Sequence, residues 1–226
     1  MQMETGSQKY LRALITEGEH QQLDFKFEIS DARKIARTLS AFSNTDGGRL
    51  LIGVKDNGRI SGVRSDEEFY MAESAASLYC KPEVKFETSI HQLDGKNVLE
   101  IFIPRVANRP VYAQDQDGRW MAYVRVKDEN ILASIIQLEV WKEEHKVRGR
   151  LLEFTRSEEF LLLYLEKAPG VTLAKIQRDT GFRRKELVSL MTKLVLFDVV
   201  EMRFSEGRMR FLLRETPGEK TPGDLR

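Results

Sequence analysis

Residues 43–58 read Ser43-Asn44-Thr45-Asp46-Gly47-Gly48-Arg49-Leu50-Leu51-Ile52-Gly53-Val54-Lys55-Asp56-Asn57-Gly58, and this stretch decides the fold class. A helix-period run from Ala32 to Phe42 stops at its start. The paired glycines then supply the positive φ values that let a chain reverse sharply and feed a buried strand. That strand is the apolar run Leu50 to Val54. Asp56-Asn57-Gly58 contains Asn-Gly, the strongest short hairpin signal. Upstream, Leu23-Asp24-Phe25-Lys26-Phe27 alternates apolar and charged residues as a half-buried strand does, and Glu19 lies five residues before Asp24.

Outward from this centre the pattern predicts a first helix at Ser7 to Ile15. A helix capped by Ser65, with acids in its first turn, follows the hairpin and ends at Lys81-Pro82. Three strands follow: Val84 to His91, Asn97 to Ile103 and Trp120 to Val126, with turns at Asp94-Gly95 and Asp117-Gly118. Pro104 and Pro110 bracket an extended segment. This is an α+β domain, a mixed sheet with flanking helices. The helical pattern returns from Ile131 to Lys146 and passes through Arg148-Gly149-Arg150 into a second unit. There the order is helix Glu158 to Lys167, a break at Pro169-Gly170, helix Thr172 to Asp179, a turn at Thr180-Gly181-Phe182, helix Arg183 to Phe197, and strands Val199 to Phe204 and Met209 to Leu213. That is the rhythm of a winged helix-turn-helix domain. The expected divisions are 1–146, 147–215 and a polar, disordered tail at 216–226 that repeats Thr-Pro-Gly.

Composition bounds the function. A chain of 226 residues with 41% hydrophobic content can bury a real core. Its 36 Lys and Arg almost balance 35 Asp and Glu, so a nucleic-acid surface must be local rather than global. The single cysteine, Cys80, excludes an internal disulfide and Cys-rich zinc sites, and is read as a half-buried thiol on a helix. His20, His91 and His145 lack ligand spacing, so zinc is not expected. The first residues are polar and charged and no apolar run reaches spanning length. The expectation is a cytoplasmic protein without membrane contact.

Six ordered pieces of the chain carry a family resemblance. They are Glu19 with Asp24-Phe25-Lys26; Ala41 to Gly48; the strand Leu50 to Val54; Ile60-Ser61-Gly62-Val63; Arg109-Pro110-Val111-Tyr112; and Tyr123-Val124-Arg125-Val126. Over about Glu19 to Ser134 the chain resembles the Schlafen-type Alba-like (AlbA_2) nucleic-acid-binding domain family. The resemblance implies nucleic acid as partner. It also implies a homodimer, since Schlafen proteins place two such lobes in one chain and this chain has one. Glu19, Asp24 and Asp56 match the acidic triad of the ribonuclease members, which would hold Mg or Mn and activate water for phosphodiester cleavage. Here Asp24 stands where those members have Glu, one methylene longer. Asp56 also serves as a hairpin-turn residue. No cofactor is expected unless the protein is such a nuclease, and an ATPase is not, because Gly47-Gly48-Arg49 lacks a phosphate-binding loop.

The leading expectation is a DNA-binding transcriptional regulator, with DNA preferred to RNA. In the second unit, Leu187, Leu190, Met191 and Leu194 take the inner face of a recognition helix, leaving Arg183, Arg184, Lys185 and Ser189 at its outward N-terminal half, with Arg208 and Arg210 on the wing. Basic residues only slightly outnumber acidic ones there. In the first domain Lys26, Arg49, Lys55 and Arg59 could form a basic rim, and Arg125 could order a carboxylate or bind phosphate. Two other readings stay open: the metal-dependent ribonuclease, and a protein-interaction adaptor without nucleic acid.

Overall fold

The computed structural model describes residues 5–63, 65–144, 146 and 154–214. The expected tail at 216–226, Arg148-Gly149-Arg150 and His145 lie outside these residues. Two compact units divide the chain, Met1–Ala133 and Ser134–Arg226.

The first unit contains α1 (Gly6–Glu17), β1 (Leu23–Lys26), α2 (Ala32–Asn44), β2 (Gly48–Ile52), α3 (Glu67–Leu78), β3 (Cys80–Lys81), β4 (Glu87–Leu93), β5 (Lys96–Ile103), β6 (Tyr112–Gln114), β7 (Trp120–Val126) and β8 (Glu129–Leu132). One sheet has the order β1-β2-β5-β4, a second β3-β6-β7-β8. Among the described residues only β1 and β2 pair in parallel, because α2 carries the chain back between them. The first sheet is therefore mixed, as expected, and the unit is α+β.

Strand alternation sorts the core into two layers. Leu50, Ile52, Leu99, Ile101 and Ile103 point to the side of α2 and α3, where they meet Ile35, Leu39, Phe42 and Ala75. Leu23, Phe25, Leu51 and Val98 point to the opposite side and pack with Leu11 of α1. Helix α2 begins where the Asp31 carboxylate accepts from the Arg33 N–H at 2.9 Å. It stops at the glycine pair: the Gly47 N–H bonds the Phe42 carbonyl at 2.9 Å with φ +71°.

A Cβ built on Gly47 would sit 2.8 Å from the Ile103 carbonyl oxygen and 2.9 Å from the Arg105 nitrogen, both backbone atoms. Gly47→Ala is therefore expected to cost about 3 kcal/mol, from left-handed strain plus overpacking that no rotamer change relieves. Equilibrium denaturation would show it as a lower midpoint. An unchanged midpoint would mean that the turn opens freely.

Local differences from the sequence reading have physical causes. The central strand ends at Ile52 because Gly53 takes φ +93°, and the Asn-Gly turn is closed by a Val54–Ile60 bridge. Asp66, not Ser65, occupies the cap of α3, and Ser65 Oγ accepts from the Glu67 N–H instead. Ile131 and Leu132, expected to open a helix, instead end β8 (Glu129–Leu132), which pairs with β7 through a Lys127-Asp128 turn with Lys127 at φ +57°. A tight hairpin without Gly or Asn leaves no sequence signal. Cys80 lies on β3 rather than a helix, and burial pushes its thiol up to about 12.

The second unit contains α4 (Ile135–Glu144), α5 (Arg156–Lys167), α6 (Leu173–Thr180), α7 (Arg184–Leu196), β9 (Val200–Ser205) and β10 (Arg208–Leu213). The boundary expected after residue 146 is corrected to Ala133, because α4 buries Ile136 and Val140 among Leu161, Leu187 and Met191. β9 and β10 form an antiparallel hairpin. Val171, between α5 and α6, bridges Phe211 of β10, so the hairpin is tied back to the helices. Gly181 closes α6 in the left-handed conformation. Among the described residues no helix is long and apolar enough to cross a membrane.

Candidate nucleic-acid interface and acidic cluster

Asp24 sits on the α2 side of β1, opposite Leu50 in register, and is 3% exposed. A carboxylate there needs a partner, and β7 supplies it. Arg125, 1% exposed, reaches from the second sheet to place Nη2 at 3.1 Å from Asp24 Oδ1. The same guanidinium donates to the Leu23 carbonyl at 3.2 Å and Asn130 Oδ1 at 3.1 Å, and stacks 5.2 Å over the Phe42 ring. Of the two roles open to Arg125, the structure places it on the carboxylate, as a tie between two sheets. Lys26 Nζ lies 2.9 Å from Asp24 Oδ2 and 3.9 Å from Glu19 Oε1.

Glu19 Oε1 accepts from the Phe25 N–H at 2.8 Å, so this acid closes the entry to β1. Burial, reinforced by the neighbouring Asp24 carboxyl, holds the Glu19 carboxyl above its ordinary value against the pull of Phe25 N–H and Lys26. Asp56 is exposed on the turn that follows the central strand. Glu19 and Asp24 are thus brought together while Asp56 stays on its turn. Among the described residues no group of three or more His, Cys, Asp and Glu is placed to hold a metal ion. The resemblance aligned three acids by spacing; here cations already occupy the Asp24 carboxylate.

The basic rim expected around the first sheet is largely spent within the fold. Arg49 Nε lies 3.0 Å from Glu100 Oε1 and donates to the Tyr10 hydroxyl at 3.0 Å, with its guanidinium 5.1 Å over Phe102. Glu100 is 6% exposed and also receives His91 Nε2 at 2.7 Å and the Tyr10 hydroxyl at 2.7 Å. Burial and then that carboxylate push the Tyr10 hydroxyl above its ordinary value. Sequence reasoning missed this cluster of Tyr10, Arg49, His91 and Glu100. Its signal was a lone acid inside Val98-Leu99-Glu100-Ile101-Phe102, a strand that is otherwise apolar.

In the second unit the residues separate into engaged and available. Arg210 donates to the Gly170 carbonyl at 3.0 Å and pairs with Glu206, so it braces the hairpin. Arg208 is exposed at the hairpin tip. Arg183 takes the cap position of α7 and Arg184 and Lys185 its first turn; all three are exposed, as is Ser189 one turn on. None of these three cations has a carboxylate partner among the described residues. They sit at the positive end of the helix dipole, which suits phosphate.

A family model described as Schlafen, AlbA_2 matches residues 19–134. Among solved structures the chain is similar to the DIP2311 protein from Corynebacterium diphtheriae at 19% identity and TM-score 0.43, covering 73% of this chain and 35% of that one. It is also similar to the N-terminal domain of a RecG-related protein from Nitrosomonas europaea at 21% identity and TM-score 0.40, covering 68% of this chain and 98% of that one. No curated protein matches. The matched span opens at Glu19 and takes in the whole two-sheet arrangement from β1 to β8, more than half of the sequence; the chain belongs to the Schlafen, AlbA_2 family.

Proposed function

We propose that this chain binds nucleic acid, DNA in preference to RNA, and acts as a transcriptional regulator whose second unit is a winged helix. The observation that carries the reading is the run Arg183, Arg184 and Lys185, exposed and without acid partners among the described residues, at the N-terminus of α7. The order α5, α6, α7, hairpin, with Val171 bridging Phe211, supports a winged helix with α7 as its recognition helix. Exposed Arg208 on the hairpin suits contact with a neighbouring phosphate. Pairing of two lobes in a homodimer belongs to the same reading. Metal-dependent RNA cleavage is the lesser reading, because Asp24 is tied to Arg125 and no three acids are grouped to hold a metal ion among the described residues.

Replacing Arg183, Arg184 and Lys185 together with Ala tests the proposal. Each lost phosphate contact should flatten the slope of log K against log salt by about 0.9, so the triple variant should lose roughly two to three units of slope. Far-ultraviolet circular dichroism should be unchanged, since the positions are exposed. A folded triple variant with wild-type affinity and slope would move the binding surface off α7.

A further inference from the structure

The side of α7 that carries Arg184, Lys185 and Ser189 faces α4 across a cavity of about 890 Å3. That lies within the range of small-molecule sites, about 300–1,000 Å3. Val188, Leu196 and Phe197 line it from α7 and its C-terminal cap, and Ile135, 43% exposed, from α4. Thr192 also lines it. This residue is 5% exposed, and its Oγ1 is buried without a hydrogen-bond partner among the described residues.

Charge selects the ligand. Glu139 and Glu143 on the α4 wall are matched by Lys142 at 2.6 Å and Lys146 at 2.9 Å. On the α7 wall Lys193 pairs with Glu158, whereas Arg184 and Lys185 have no carboxylate partner among the described residues. The unbalanced charge is positive and sits at one end of an apolar trough. Lys185, Ser189 and Thr192 follow at helical spacing, and the seven steps from Lys185 to Thr192 rise about 10 Å at 1.5 Å per residue. A flat two-ring acid has that length.

We infer that this cavity binds a small amphipathic anion, an aromatic carboxylate or sulfonate, with its acid group on Arg184 and Lys185 and its rings on Val188 and Leu196. Arg184 and Lys185 are also the side chains read above as nucleic-acid contacts, so the ligand and nucleic acid compete. The competition rests on that reading; the binding site does not.

The probe is 8-anilinonaphthalene-1-sulfonate, titrated by fluorescence into the full chain without nucleic acid. One saturable equivalent is expected. Lys185→Ala should weaken it about tenfold, and Ser189→Trp, a change at an exposed position that fills the trough, should abolish the signal. The neutral analogue N-phenyl-1-naphthylamine should bind at least tenfold more weakly. Wild-type affinity in both variants would overturn the site, and equal affinity for the neutral analogue would overturn its selectivity for anions. In a second arm, saturating dye should lower affinity for a duplex DNA. Dye binding with DNA affinity unaffected overturns the competition. Dye binding in a protein with no DNA affinity leaves the site standing and removes the DNA reading instead.

Discussion

Asp24→Ala is expected to destabilise the first unit by about 4 kcal/mol, among the largest losses for any single substitution in this chain. The change strips the carboxylate from Arg125, whose side chain is 1% exposed and has no route to water. An unpaired guanidinium would then remain buried between β1 and β7. A double-mutant cycle separates this from a local packing defect. Asp24→Leu combined with Arg125→Met should be markedly more stable than either charge-removing single variant, because apolar replacement of both partners leaves no orphan charge. Guanidinium unfolding followed by circular dichroism reads all four proteins. A further variant at the same position addresses catalysis. If Asp24 served chiefly as a metal ligand, Asp24→Asn would lose magnesium-dependent RNA cleavage at unchanged stability; the position of Arg125 makes the expected loss one of stability.

The second large effect falls on a neighbouring pair that the sequence presents as equals. Asn44 is 1% exposed at the end of α2. Its Nδ2 donates to the carbonyls of Val111 at 2.8 Å and Tyr123 at 2.9 Å, and its Oδ1 accepts from the Val111 N–H at 2.7 Å. One amide thus binds α2 to the residue just before β6 and to the middle of β7. Asn44→Ala would take the side-chain partner from the Tyr123 carbonyl and the Val111 N–H, while the Val111 carbonyl keeps the Ser40 hydroxyl at 2.8 Å; at about 1–3 kcal/mol for each of the two groups, a loss of about 4 kcal/mol is expected. Ser43 is fully buried too, but its hydroxyl has no hydrogen-bond partner among the described residues. Ser43→Ala should therefore leave stability unchanged or raise it. Equal losses at both positions would show that simple volume, rather than hydrogen bonding, governs this helix end.

Much of the fold was legible because its signals are local. The glycine pair, the alternation at Leu23 to Phe27 and the helix-period run at Ala32 each restrict backbone geometry within a few residues, and α2, β1 and β2 stand close to where those patterns put them. The order of three helices and a hairpin in the second unit was equally local. β8 was not legible, since its turn at Lys127-Asp128 contains neither Gly nor Asn and its pairing with β7 is what makes it a strand. The division at Ala133 escaped for a related reason: an amphipathic α4 announces an apolar face without naming which core receives it.

By itself the sequence determined that this chain is an α+β protein of the Schlafen, AlbA_2 family, with cations gathered at Arg183, Arg184 and Lys185 and acids at Glu19, Asp24 and Asp56. Only the tertiary structure decided which charges are available. Asp24 and Arg125, about a hundred residues apart, are neutralised against each other, and Arg49 is held by Glu100 from another strand. Arg184 and Lys185 meet no carboxylate among the described residues and line a cavity against α4. Charge is written in each residue, but its effect depends on solvent and on partners within a few ångströms, and strands and helices distant in sequence supply those partners.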